Sequence, residues 1–215
     1  MKTHIGLALM GAAILLMSVG GAGPSTAADA VAEWDSIKAL PAPELKPVTL
    51  DPAKVGVMVM DFGEGNCTPE IRPRCVWAVP NVKTMLDQAR AKGMTIVFIR
   101  TQAMKPEDFV DAIAPMPNET YLVGPKEDKL WETGADKIFR DKAIDTHLLM
   151  GHQGNGSVMV TAFGAVMRGF KVIVPVDTMP AATAYQEQFA IWAIANNPAF
   201  RGLSTLTRST MVTWQ

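Results

Sequence analysis

The chain has 215 residues, with 20 Lys and Arg against 21 Asp and Glu, a formal net charge of -1 and a hydrophobic fraction of 48%. That balance leaves no basic stripe for phosphate backbones and no cluster of basic residues interleaved with aromatics, so nucleic acid is excluded as the expected partner. After the amino-terminal segment the length is that of one domain with room for a substantial core.

Residues 1–28 read as a secretory signal peptide. Lys2 and His4 precede an apolar run from Ile5 to Val19, and Gly20, Gly21, Gly23 and Pro24 lead to the small residues Ser25 and Ala27. The run is shorter than the roughly 20 residues a spanning helix needs, and the small residues suit a cleavage site after Ala27 or Ala28. The expected location is therefore the periplasm or the exterior, with no membrane attachment once the leader is gone; an uncleaved anchor is the alternative. Residues 29–53, with Pro41, Pro43, Pro47 and Pro52 and few periodic apolar positions, read as an extended arm lying on the domain that fills 54–215. Cys67 and Cys75 are the only cysteines. In an oxidising compartment they are expected to form a local disulfide, with two free thiols as the alternative.

From Val55 the pattern VGVMVMD is an apolar run closed by a carboxylate, the mark of a central strand buried on both faces. Val82 to Lys92 has helical apolar spacing and Gly93 follows as a cap before the strand MTIVFIR. Thr120 to Val123 is a short strand, Thr133 to Lys142 a helix, and His147 to Met150 a buried strand ending at Gly151. A helix over Ser157 to Arg168, a strand over Lys171 to Val176 ending in Asp177, a helix over Tyr185 to Asn196 and an edge strand over Ser204 to Leu206 complete the alternation. Short right-handed crossovers then require a parallel sheet covered on both faces, a three-layer α/β/α domain of about six mostly parallel strands. Ligands bind such sheets at the carboxyl ends of the strands.

Three features project to that edge: Asp61, Asp177 and the turn GHQGNGS at 151–157. Gly154, Asn155 and Gly156 let the backbone bend, and Ser157 stands at a helix start where free amides and the helix dipole favour negative charge. Ser157 is either a reacting group there or simply the helix cap. His152 follows the strand and reads either as a pocket residue or as a surface histidine, and Asp177 may equally just close its turn. The methionines Met58, Met60, Met150, Met159 and Met167 read as core filler, and Trp77, Trp131 and Trp192 as packing anchors.

VMVMDF at 57–62, DKLWET at 128–133 and GHQGNGSVMVTA at 151–162 resemble the motifs of the isochorismatase-like, or cysteine hydrolase, superfamily over about Val55 to Thr207. The resemblance implies an aspartate after the first strand, Asp61; a lysine, Lys129 with Lys126 as competitor because the usual Ser-Ala-Phe is missing; and a nucleophile position, Ser157, where the family has cysteine. The turn residues His152, Gln153, Gly154, Asn155 and Gly156 are expected to line the ligand. Gly63 stands where many members have glutamine, and no Asp-x-His-x-His metal site follows Asp61, so no metal and no cofactor are expected. A serine hydroxyl is far less acidic than a thiol and needs a strong base beside it. The expectation is an exported hydrolase of a small C–N or vinyl-ether substrate, acting alone or as a homo-oligomer. The alternative is a catalytically inactive protein of the same fold that binds a small ligand.

Overall fold

The computed structural model describes residues 29–101, 105–200 and 202–215. The signal-peptide reading of 1–28 therefore lies outside the described residues. Residues up to Leu40 form a unit of their own, and Pro41 to Gln215 form another. In the first unit the Asp29 carboxylate accepts from the Val31 and Ala32 amides at 2.9 and 3.1 Å and one 3₁₀ turn spans Trp34–Ser36. No helix among the described residues is long and apolar enough to cross a membrane.

The second unit is built on the expected sheet. Strands β2 (Val55–Met60), β3 (Ile96–Arg100), β4 (Thr120–Val123), β5 (Thr146–Gly151), β6 (Lys171–Pro175) and β7 (Ser204–Thr207) lie in the order β4-β3-β2-β5-β6-β7. Every neighbouring pair is parallel. The helices are α1 (Pro73–Ala91), α2 (Ala135–Asp141), α3 (Met159–Met167) and α4 (Ala184–Asn196). A further pair, β1 (Val48–Leu50) with β8 (Val212–Trp214), is also parallel and lies within the stretch read as an arm and at the carboxyl terminus.

β2 explains why this sequence makes a covered sheet. All six of its residues are buried, and because side chains alternate faces Val55, Val57 and Val59 pack with Val82, Met85, Leu86 and Ala89 of α1 while Met58 and Met60 pack with Ala162 and Ala165 of α3 and Ala190 and Ile194 of α4. Gly56 belongs to the second face. A Cβ there would stand 2.4 Å from the Phe139 ring, so the missing side chain is what lets α2 close over the strand.

α1 starts at Pro73, well before the expected Val82. Proline at the first helical position has no amide to lose and a φ already suited to the helix, and the buried series Cys75, Ala78, Val82, Met85, Leu86, Ala89 continues the apolar stripe through Pro80. Cys67 and Cys75 form the expected disulfide, which pins the loop before α1 to the helix. The surface holds two further corrections. Trp77, Trp131 and Trp192 are 62%, 50% and 45% exposed and so are not core anchors, and Met167 faces solvent, whereas Met58, Met60 and Met150 are buried as expected.

The helix after β5 also begins later than Ser157. Residues Gly154–Val158 form a wide turn in which the Val158 amide reaches back to the Gln153 carbonyl at 3.3 Å, and regular helix starts at Met159. A Cβ on Gly154 would lie 2.3 Å from the Met179 carbonyl oxygen, so that turn requires glycine where its backbone passes the β6–α4 connection.

Candidate active site

β2 is followed in chain order by β3 and β4 on one side, while β5 lies on its other side and leads outward to β6 and β7. The crossovers thus diverge at the β2–β5 boundary, the place where open parallel sheets form a crevice at the strands' carboxyl ends. Register fixes what meets there. Met60 pairs with Gly151, and the His152 amide donates to the Met60 carbonyl at 3.0 Å, so Asp61 and the turn after β5 leave the sheet side by side.

Asp61 adopts φ 55°, a left-handed conformation uncommon for a non-glycine residue. Its Oδ1 accepts from the Thr101 amide at 2.7 Å and the Thr101 hydroxyl at 3.0 Å, which anchors the carboxylate to the end of β3. Its Oδ2 lies 2.9 Å from Lys129 Nζ and accepts a hydrogen bond from the Ser157 hydroxyl. Lys129 is fully buried. Its ammonium also donates to Thr101 Oγ1 at 2.5 Å and to the Lys126 carbonyl at 3.0 Å, while its amide donates to Thr161 Oγ1 at 3.0 Å. Of the two lysines, Lys129 brings its ammonium to Asp61, whereas Lys126 contributes a carbonyl and is exposed.

Ser157 is 3% exposed and caps no helix; its hydroxyl is spent between two carboxyl groups, Asp61 and Glu127, the latter with Oε2 at 3.0 Å. The loop that carries Glu127 and Lys129 is itself braced, since Asp128 accepts from the Leu130 amide at 2.9 Å and pairs with Arg168 at 2.8 Å.

These groups open into a polar cavity of about 330 Å³, lined by Asp61, Asn66, Arg72, Arg100, Thr101, Glu127, His152, Gln153, Gly156 and Ser157. His152 is a pocket residue and not a surface one, 8% exposed. Burial, with the positive charge of Arg72 adding to it and Asp61 opposing, pushes its imidazole down to about 4, so at neutral pH the ring is uncharged. Gln153 and Gly156 line the cavity with it. Gly154 and Asn155 shape the turn without being among the lining residues.

Asp177 does not join them. Its carboxylate accepts from the Ser209 amide at 2.8 Å and the Ser209 hydroxyl at 2.5 Å, tying the turn after β6 to the approach to β8. The strand-end carboxylate is a structural clip. Conversely, Glu127, Arg72, Arg100, Thr101 and Asn66 were not anticipated. Arg100 carried a usable signal, being a charge that closes a buried apolar strand, as Asp61 is. Glu127 had none beyond its place in the charged run KEDK. Among the described residues no group of three or more His, Cys, Asp or Glu is placed to hold a metal ion.

Fold and site together define a parallel α/β protein with a carboxylate, an ammonium and a hydroxyl in contact at the switch point. The isochorismatase domain pattern matches residues 56–207, and the chain belongs to that family. Among curated proteins it is similar to the isochorismatase family protein YaaI of Bacillus subtilis, 23% identical over 134 residues that make up 55% of this chain and 74% of that one. Among solved structures it resembles a cysteine hydrolase from Pseudomonas syringae pv. phaseolicola, with TM-score 0.67 and 17% identity over 79% of this chain and 95% of the other. It also resembles an N-carbamoylsarcosine amidase from Thermoplasma acidophilum, with TM-score 0.62 and 19% identity over 73% and 96% of the two chains. At these identities the structural likeness establishes the fold.

Proposed function

We propose that this protein is an exported hydrolase that cleaves a small C–N bond of amide type, with Ser157 as nucleophile in the position where the family carries cysteine. The observation that carries the reading is the single carboxylate of Asp61, which touches both the buried Lys129 ammonium and the Ser157 hydroxyl. A serine needs a base within hydrogen-bond reach and a means of keeping that base ionised, and Asp61 and Lys129 supply the two. In the reaction the Ser157 Oγ–H proton passes to Asp61 as Oγ bonds to the substrate carbonyl carbon. The same proton is then delivered to the departing nitrogen as the C–N bond breaks; water, deprotonated by Asp61, attacks the resulting ester, and that proton passes from Asp61 to Ser157 Oγ as the acyl C–O bond breaks and the carboxylic acid leaves. Glu127, at the other side of the hydroxyl, aligns it. Export is supported by the leader-like sequence of residues 1–28 and by the Cys67–Cys75 disulfide, a bond that persists in oxidising compartments.

The test is Ser157→Ala in the purified mature protein. With a covalent route, turnover of a small amide falls by three or more orders of magnitude and the acyl-enzyme mass disappears from quenched reactions. If Asp61 and Lys129 act without a nucleophile, as vinyl-ether cleavage permits, the loss is about tenfold or less. That outcome would replace the amide reading with the vinyl-ether one.

A further inference from the structure

The cavity is lined by two guanidinium groups that form no ion pair among the described residues. The guanidinium groups that are partly buried elsewhere each hold a carboxylate: Arg74 with Glu187, Arg90 with Glu119 and Arg168 with Asp128. The two in the cavity are Arg72 and Arg100. None of residues 1–28, 102–104 and 201 is Asp or Glu, so none of them has a side-chain carboxylate to offer.

Arg100 is the stronger observation. It is 5% exposed, and its Nε is buried without a hydrogen-bond partner among the described residues. The group is nevertheless held in place: Nη1 donates to the Asp108 carbonyl at 2.7 Å, and the guanidinium lies 5.3 Å from the centroid of the Phe109 ring. A carbonyl and an aromatic face orient a cation without cancelling its charge. Room for it comes from Gly63, where a Cβ would lie 2.5 Å from Arg100 Nη2. Arg72 arrives from the residue before α1, on the loop closed by the Cys67–Cys75 disulfide, and its Nε is likewise buried and without a partner among the described residues. A buried charge without a counter-ion is costly, and arginine forks suit planar carboxylates.

We infer that Arg72 and Arg100 form an anion subsite, and that the substrate of the proposed hydrolase is a small amide bearing one carboxylate at the end remote from the scissile bond. This rests on the proposed hydrolase for the bond that breaks, and not for the binding of the anion. The formal charges around the cavity, Lys129, Arg72 and Arg100 against Asp61 and Glu127, leave one positive charge in excess, which matches a monoanion better than a phosphate dianion.

The experiment uses the mature full chain and calorimetric titration with succinamate and with its uncharged methyl ester. Succinamate is expected to bind at least tenfold more tightly than the ester, with inorganic phosphate a poor competitor. Arg100→Gln and Arg72→Gln should each bring the two ligands to within about threefold, and Arg100→Lys should retain part of the preference. Because Arg100 is buried and its replacement could prevent folding, Gly63→Ala, which crowds the guanidinium, and Arg72→Gln, on a partly exposed residue, read the same preference. Equal binding of acid and ester by the unmodified protein overturns the inference, as does a preference that survives in the folded variants. Phosphate binding as tightly as succinamate overturns the carboxylate class. Failure of the hydrolase reading looks different: arginine-dependent binding of succinamate with no turnover leaves the anion subsite standing.

Discussion

The Asp61–Lys129 pair should be measurable as a coupling in stability as well as in activity. Lys129 is fully buried, and among the described residues its ammonium has one charged partner, Asp61, the others being the Thr101 hydroxyl at 2.5 Å and the Lys126 carbonyl at 3.0 Å. Asp61→Asn keeps the shape and an acceptor but strands the cation, at a cost of about 3–4 kcal/mol, the lower part of the range for breaking a buried pair. Lys129→Met keeps the apolar stem and strands a carboxylate whose side chain is 13% exposed and still accepts from Thr101 and Ser157, so about 2–3 kcal/mol is expected. In the double variant neither charge is left alone, and the total should fall short of the sum of the single effects by about 2 kcal/mol. Urea unfolding followed by tryptophan fluorescence gives the three differences. Single effects that add to within about 0.5 kcal/mol would refute a direct ion pair and with it the placement of Lys129 in the site.

Acid should destabilise the fold through two buried histidines. His147 lies between the Phe139 and Phe170 rings at 4.5 and 4.1 Å with neither nitrogen partnered among the described residues, and burial pushes it to about 3; His152 stands at about 4. Both values lie below the 6.5 of an unfolded chain, so the stability they contribute is present above pH 6.5 and is lost as pH falls from 6.5 toward 4 and 3. Between pH 6.5 and 5 each should cost about 2 kcal/mol. His147→Phe should remove about half of that slope in urea midpoints measured at pH 7 and 5; an unchanged slope rejects the assignment. Reducing the Cys67–Cys75 bridge opens a short loop and should cost about 2.5 kcal/mol, a drop of roughly 5–10 °C in Tm. It should also weaken succinamate binding, because the loop carries Arg72; equal affinity of the two redox forms would separate the bridge from the site.

The parts of this molecule legible in the sequence are those where burial dictates residue type over a whole element. VGVMVM and HLLMG announce strands because both faces are covered and the runs are apolar apart from the buried His147. The start of α1 was hidden because Pro73 and Pro80 read as loop signals, although the first is a good helix opener and the second is accommodated. β1 and β8, of three residues each, pair across nearly the whole domain, and local pattern says nothing about so distant a partner. At the site, Asp61 and Ser157 were visible because turn and strand-end chemistry marks them. Asp177 carried the same mark and serves Ser209 instead, since a strand-end charge reveals its location but not its partner. Arg100 ended its strand in the same manner and was passed over. Glu127 enters the site through the course of a loop, which no local spacing encodes.

The central claim is that position 157 sits where a nucleophile is activated, and Ser157→Cys tests it in one experiment. The other two cysteines are bridged, so the new thiol is the only one to label. Intact mass spectrometry after iodoacetamide at neutral pH should show one carbamidomethyl group added faster than to free cysteine, and Asp61→Asn in the same background should slow the reaction at least tenfold. A folded Ser157→Cys protein that labels no faster than free cysteine, or equally fast without Asp61, would contradict the account.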